Sequence, residues 1–177
     1  MYSILLSGFG GQGILFAGKQ LANAAMLADK EVTWLPSYGP EMRGGTANCS
    51  VNISDEPIGS PLVTHPDLLI AMNLPSFAKF EPAIVPGGEL LCDSSLISAK
   101  SERTDIKCYY VPATKLADEN GVSGMANVIL LGYFLKISGL FGFEDFLNAM
   151  CAKIPASKAA LIEKNKTALK LGYEYEG

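Results

Sequence analysis

Residues 2–30 read YSILLSGFGGQGILFAGKQLANAAMLADK: a short apolar run, a glycine-rich turn, then apolar residues recurring at helical spacing. Tyr2 to Leu6 is apolar but stops at Ser7-Gly8, which fits a buried strand ended by a turn. From Ile14 to Lys30, Leu15, Ala22, Met26 and other apolar residues recur as they do on one face of an α-helix. Strand, glycine turn and helix in that order open an α/β domain.

The same alternation continues along the chain. Val32 to Leu35 reads as a second strand, and Pro36-Ser37-Tyr38-Gly39-Pro40 breaks it into a loop that lasts until Gly44-Gly45. Thr46 to Ile53 alternates like a half-buried strand, with Ala47, Cys49, Val51 and Ile53 on one side and Thr46, Asn48, Ser50 and Asn52 on the other. Asp67 to Met72 is a further apolar strand. A short helix around Pro75 to Phe80, the Pro86-Gly87-Gly88 turn and a strand at Glu89 to Asp93 follow it. Lys107 to Val111 is the last strand, and everything after Ala113 reads as helical, including Gly124 to Ser138, Phe143 to Ala152 and Ala156 to Leu171. With no repeat, low-complexity tract or linker, residues 1–177 are expected to form a single domain. Its fold class is α/β: a three-layer, Rossmann-like unit around a mainly parallel sheet, with a helical C-terminal third.

Composition narrows the function. A chain of 177 residues that is 49% hydrophobic can bury one good-sized core. Lys and Arg number 14 against 18 Asp and Glu, and no basic run interleaves with aromatics, so a nucleic-acid partner is not expected. The first residues lack a basic region before their apolar stretch, which argues for a cytoplasmic protein rather than a secreted one. Met125 to Phe143 is apolar enough to raise the question of a membrane, but it carries Asn127, Lys136 and Ser138 and is cut by Gly132, Gly139 and Gly142. A buried helix, with no membrane contact, is the expected reading. Cys49, Cys92, Cys108 and Cys151 lie far apart, with no C-x-x-C pair, so neither a metal nor a cluster is expected on this chain and the thiols should be reduced and mostly buried. The lone His65 precedes Pro66 and reads as a surface or turn residue.

Gly8-Phe9-Gly10-Gly11-Gln12-Gly13 satisfies G-x-G-x-x-G between a strand and a helix, where backbone N–H groups can cradle a pyrophosphate. The dinucleotide fingerprint also requires an acid at the end of the second strand, and Trp34-Leu35-Pro36 stands there instead. Asp29 and Glu31 precede that strand and would sit at its far end. Gly13, Gly18 and Lys19 have the spacing of a phosphate loop, but Gln20 replaces the hydroxyl residue that would bind magnesium. The turn is therefore either an anion or partner contact, or a packing device with no ligand.

The second loop, Ser37-Tyr38-Gly39-Pro40-Glu41-Met42-Arg43-Gly44-Gly45, places an aromatic, a carboxylate and a guanidinium on a backbone punctuated by proline and glycine. Arg43 suits bidentate contact with a phosphate or a partner's carboxylate, or a local pair with Glu41. The candidate binding set is thus Gly8, Gly10, Gly11, Gln12 and Gly13 with Ser37, Tyr38, Glu41, Arg43, Gly44 and Gly45. No catalytic residue and no metal ligand stands out.

These motifs carry a resemblance. GFGGQG, the SYGPEMRGG loop, the ISDEPIGSP segment at Ile53 to Pro61, DLLIAMN at Asp67 to Asn73, Pro86-Gly87-Gly88 with Asp93-Ser94 beyond it, and NVILLG at Asn127 to Gly132 occur in this order over most of the chain to about residue 150. Together they resemble the gamma domain of pyruvate and other 2-oxoacid:ferredoxin oxidoreductases. The resemblance implies a subunit of an enzyme that oxidatively decarboxylates 2-oxoglutarate, a branched-chain 2-oxoacid or pyruvate to an acyl-CoA. It implies alpha, beta and ferredoxin-like delta partners, which with the complex supply thiamine diphosphate, magnesium, iron–sulfur clusters and coenzyme A and pass electrons to ferredoxin. This chain would hold no cofactor alone, would complete the hetero-oligomer, and would shape the region where coenzyme A arrives. A stand-alone nucleotide-binding reductase using Gly8 to Gly13, and the related indolepyruvate:ferredoxin oxidoreductase subunit, remain open alternatives.

Overall fold

The computed structural model describes residues 1–38, 46–152 and 154–177. Six strands, β1 (Tyr2–Phe9), β2 (Glu31–Tyr38), β3 (Thr46–Ser54), β4 (Leu68–Ala71), β5 (Glu89–Asp93) and β6 (Lys107–Val111), form one sheet in the order β2-β3-β1-β4-β5-β6. The helices are α1 (Ile14–Leu27), α2 (Leu74–Phe80), α3 (Ala113–Glu119), α4 (Ala126–Ser138), α5 (Phe143–Cys151) and α6 (Ala159–Tyr173). Strands β1, β4, β5 and β6 pair in parallel, whereas β3 runs antiparallel to both β1 and β2. The mainly parallel sheet thus contains one reversed strand, inserted between the first two parallel ones.

The central strands are apolar on both faces because both faces are covered, as continuous apolar runs require. Ile4 and Leu6 of β1, Leu68 and Ile70 of β4 and Leu91 of β5 enter the larger core, under α1 and α3 to α6. Leu5, Leu69, Ala71, Leu90 and Cys92 point the other way, into a smaller core closed by Phe77 of α2, Ile84, Val63 and Ile97. These are the three layers.

Several bounds differ from those read in the sequence. Pro36 does not end the second strand, because β2 lies at the sheet edge, where a missing N–H is tolerated, and the pairing with β3 runs on to Tyr38. β1 likewise continues through Gly8 to Phe9. Helix α1 stops at Leu27, where Ala28 and Lys30 donate back to Ala24 and Ala25 carbonyls and Asp29 adopts a left-handed φ of 53°. The polar side of β3 is covered in its second half: Ser50 and Asn52 are both buried beneath the segment after Ser54, while Thr46 is exposed. Ser50 Oγ accepts from Val63 N–H, and Asn52 Nδ2 donates to Thr33 Oγ1 and to the Ser60 and Pro61 carbonyls, so the buried polar row is satisfied.

Helix α4 is buried along its whole first three turns, from Ala126 to Leu135, as a helix with no polar face must be. It packs on α6 through a glycine notch. A methyl group at Gly132 would collide with the Leu169 carbonyl, and one at Gly172 with the Ile129 carbonyl, so the two backbones touch. Among the described residues no helix is long and apolar enough to cross a membrane.

Candidate functional site

The glycine turn sits where the sheet changes direction. From β1 the chain passes through α1 to β2 on one side, and β4, α2 and β5 lie on the other, so the C-terminal ends of β1 and β4 flank the crevice in which open α/β sheets bind ligands. Here that crevice is closed. Gln12 Oε1 accepts from Phe9 N–H at 2.6 Å, its Nε2 donates to the Met72 carbonyl at 2.8 Å, and its own N–H donates to the Phe9 carbonyl. Beneath this bridge, Ser7 Oγ donates to Ser76 Oγ and the Asn73 side chain caps α2 by accepting from Ser76 N–H. Gln12, expected to contact a ligand, spends both polar side-chain atoms on the backbone of β1 and of the strand end beside it.

The other side of β1 is open. The pairing places Phe9 opposite Thr46, Gly8 opposite Ala47, and Tyr38 opposite that same Ala47. Both ends of the second loop therefore stand beside the glycine turn, as expected from strand ends on one sheet edge. Phe9, Gly10, Gly11, Gly13, Phe16 and Tyr38 line a cleft of about 320 Å³ there. Tyr38 is 55% exposed, Phe16 43% and Phe9 38%, so aromatic surface rings the opening. Ser37 is exposed on the edge strand nearby. Glu41, Arg43, Gly44 and Gly45 lie outside the described residues.

Geometry explains only part of the glycine pattern. Gly11 and Gly13 take positive φ, 100° and 74°, which L-residues adopt at a cost. Gly10 is not among the positive-φ glycines, so strain there is not the reason for its presence. Gly13 caps α1: its carbonyl accepts from Ala17 N–H at 2.9 Å and from Asn127 Nδ2 at 3.1 Å, and a Cβ on it would strike the Asn127 amide. Asn127, on α4, thus fixes the turn from 114 positions away. Its role could not be read locally, although it opens the NVILLG motif. Among the described residues no side chain caps α1, and no acid lies in its first turn.

The remaining chemistry is structural. Asp93, fully buried at the end of β5, accepts from Ser95 N–H and from the N–H and hydroxyl of Thr114, tying β5 to α3. Burial pushes the Cys49 and Cys92 thiols up to about 12, so both stay protonated and unreactive. Cys49 lies in the larger core, where its thiol contacts the Ile14 carbonyl, and Cys92 lies in the smaller one, across the sheet, so these cysteines cannot converge on a metal. Cys108 and Cys151 are half-buried, a little more open than expected. His65 is exposed and meets only Thr64 Oγ1. Among the described residues no group of three His, Cys, Asp or Glu could hold a metal ion. Among the described residues no acid lines the cleft beside the turn. Even an acid at the end of β2 would be one strand too far, because β3 intervenes.

Residues 3–175 match the family described as pyruvate ferredoxin/flavodoxin oxidoreductase. The chain is 39% identical to the 2-oxoglutarate synthase subunit KorC of Methanocaldococcus jannaschii, over 97% of this chain and 91% of that one. It is 38% identical to the ketoisovalerate oxidoreductase subunit VorA of Methanothermobacter thermautotrophicus, over 97% of this chain but only 36% of the relative's length. The fold superposes on the crystal structure of the keto/oxoacid ferredoxin oxidoreductase gamma subunit of Geobacter sulfurreducens with a TM-score of 0.82 and 31% identity, covering 98% of this chain and 97% of that one. The chain belongs to the pyruvate ferredoxin/flavodoxin oxidoreductase family as a gamma-type subunit of a 2-oxoacid oxidoreductase.

Proposed function

We propose that this chain completes a multi-subunit 2-oxoacid:ferredoxin oxidoreductase by docking the open edge beside its glycine turn against alpha, beta and ferredoxin-like delta partners. The observation that carries the reading is the asymmetry of that edge: the ligand crevice is sealed by Gln12, while the neighbouring cleft is ringed by exposed Phe9, Phe16 and Tyr38. Exposed aromatics around a rigid turn are what a subunit interface needs. On this reading thiamine diphosphate and the iron–sulfur clusters belong to the partners. Coenzyme A meets the complex where the second loop, with Glu41 and Arg43, leaves the same edge. The glycine positions Gly8, Gly10, Gly11 and Gly13 and the loop residues Ser37, Tyr38, Gly44 and Gly45 shape that region. The free thiols of all four cysteines agree with a reducing cytoplasm. The substrate is 2-oxoglutarate or a branched-chain 2-oxoacid, the acids named for KorC and VorA, with pyruvate the next of the class.

The test is reconstitution. The purified chain is expected to be colourless, without iron or flavin, and inactive. Mixed with the products of neighbouring genes, it should restore coenzyme A-dependent reduction of a viologen dye, and comparison of 2-oxoglutarate, 2-oxoisovalerate and pyruvate identifies the acid. Stoichiometric iron, or turnover by the chain alone, would overturn the reading.

A further inference from the structure

A cleft of about 500 Å³ opens between the last turns of α1 and α5. Ala24 and Ala28 line it from α1, Ala149 and Ala152 from α5 and its C-cap, and Leu27 and Phe141 add larger apolar walls. Alanines three and four positions apart share a helix face, so the floor is a pair of shallow rails that another helix can approach closely. Among the described residues only Met1 is a more exposed large apolar side chain than Leu27, at 70%, and Met26, at 63%, and both belong to the end of α1. Apolar surface gathered at the mouth of an apolar cleft marks a contact site.

The charge around this cleft has one sign. From Gln20 to Asp29 and from Ile137 to Ala152 the chain holds no Lys, Arg or His, whereas Asp29, Glu144 and Asp145 are there, and Asp145 lines the cleft. Lys153, next in sequence, lies outside the described residues. Lys30, the other cation adjoining these stretches in sequence beside Lys136 and Lys19, is paired with Asp55. Helix α1 also ends here with no basic residue in its last turn, so the negative end of its dipole adds to the same field.

We propose that this cleft docks a basic amphipathic helix of a partner subunit. Apolar side chains at helical spacing enter the cleft, and Lys or Arg on the flank of the same helix meets Glu144 and Asp145. A second copy of this chain would set the same acids against each other across a two-fold axis, and an anionic lipid surface would meet the same repulsion. The inference rests on the subunit reading given above and adds a second surface to it. Helix α1 starts at the glycine turn and ends at this cleft, so the two surfaces stand about 20 Å apart along one helix.

The experiment uses the full-length chain, alone and in the reconstituted complex. Amide hydrogen exchange at residues 24–28 and 145–152 should slow on assembly. Leu27→Ser changes an exposed position and should leave the melting temperature of the chain unaltered, while the dissociation constant of the complex rises by roughly tenfold. Asp145→Asn should raise that constant by about threefold and flatten its dependence on salt. Unchanged exchange together with wild-type constants for both variants overturns the proposal. If Tyr38→Ser still weakens the same complex, docking through the glycine edge stands without it. A loss with Leu27→Ser that Asp145→Asn and salt do not share overturns the basic partner. Sedimentation of the chain alone covers the remaining occupant, since a dimer that Leu27→Ser dissolves would assign the cleft to a second copy and overturn the proposal.

Discussion

The two sides of β1 at its C-terminal end are built from the same few residues and do opposite things. Toward β4, Gln12, Ser7, Asn73 and Ser76 knit the turn to its neighbour with side-chain hydrogen bonds, which leave the buried Asn73 Nδ2 without a partner among the described residues. Toward β3, the same turn opens onto the cleft ringed by exposed Phe9, Phe16 and Tyr38. A glycine fingerprint that in a dinucleotide enzyme would face its crevice is here anchored on that side and offered on the other. The closed side should therefore govern stability, and the open side assembly.

The largest effect is expected at Gly13, which belongs to the closed framework. A side chain there must adopt φ 74° and displace Asn127. Left-handed backbone costs about 1–2 kcal/mol and overpacking typically about 1–3 kcal/mol, so Gly13→Val should lose about 3 kcal/mol or more by denaturant titration, and Gly10→Val distinctly less. Wild-type stability of Gly13→Val would show that the turn is not held as described. Gly13→Ala in an Asn127→Ala background sharpens the point. Once the amide is gone, only the backbone part of the cost remains, and the double-mutant cycle should be non-additive.

Next comes Gln12→Ala. It removes the partner of the exposed Phe9 N–H and of the part-buried Met72 carbonyl, a loss of about 1 kcal/mol. If the crevice were instead a ligand site, the variant would keep its stability and lose a ligand. A calorimetric melt of the chain alone separates the two.

Tyr38→Ser probes the open side. At a half-exposed position on an edge strand, the change in stability should stay within about 0.5 kcal/mol, while the dissociation constant of the reconstituted complex should rise by roughly tenfold, as for an aromatic interface anchor. The reverse pattern, an unfolded chain or unaltered assembly, would move the docking surface elsewhere.

The contrast between the two sides was only partly legible in the sequence. Strands β5 and β6 were readable to the residue because Pro86-Gly87-Gly88 and Pro112 bound them, and β5, buried on both faces, has no polar alternation to confuse. The reversal of β3 was not, since a long loop with no two-residue turn signal leaves strand direction open. Pro36 misled because its effect depends on whether a strand is at an edge, which is a property of the sheet. At the site, position alone marked Gly8 to Gly13. Gln12 looked like one more loop residue because its partner, the Met72 carbonyl, lies 60 positions away. Asn127 and Gly13 were both in plain view as motif residues, and only the packing of α4 beneath α1 joins them. Non-local contacts of this kind leave no periodic trace.

The smallest expected effect, and the finest test of the open side, is at Arg43. The strand register brings both ends of its loop beside the turn, with Tyr38 opposite Ala47 and Thr46 opposite Phe9. Arg43 lies outside the described residues, and the test decides between an outside phosphate or carboxylate and a local pair with Glu41 as its partner. Arg43→Lys keeps the charge and removes the planar fork, so a bidentate contact should weaken while a solvated local pair should not. The measurements are the coenzyme A KM and the assembly constant of the reconstituted complex for wild type, Arg43→Lys and Arg43→Ala. Assembly loss without a change in KM assigns the residue to a subunit interface, and the opposite pattern to coenzyme A. If neither quantity moves by more than about twofold in the alanine variant, roughly 0.4 kcal/mol, Arg43 is paired within its own loop and the open edge works through its aromatic surface alone.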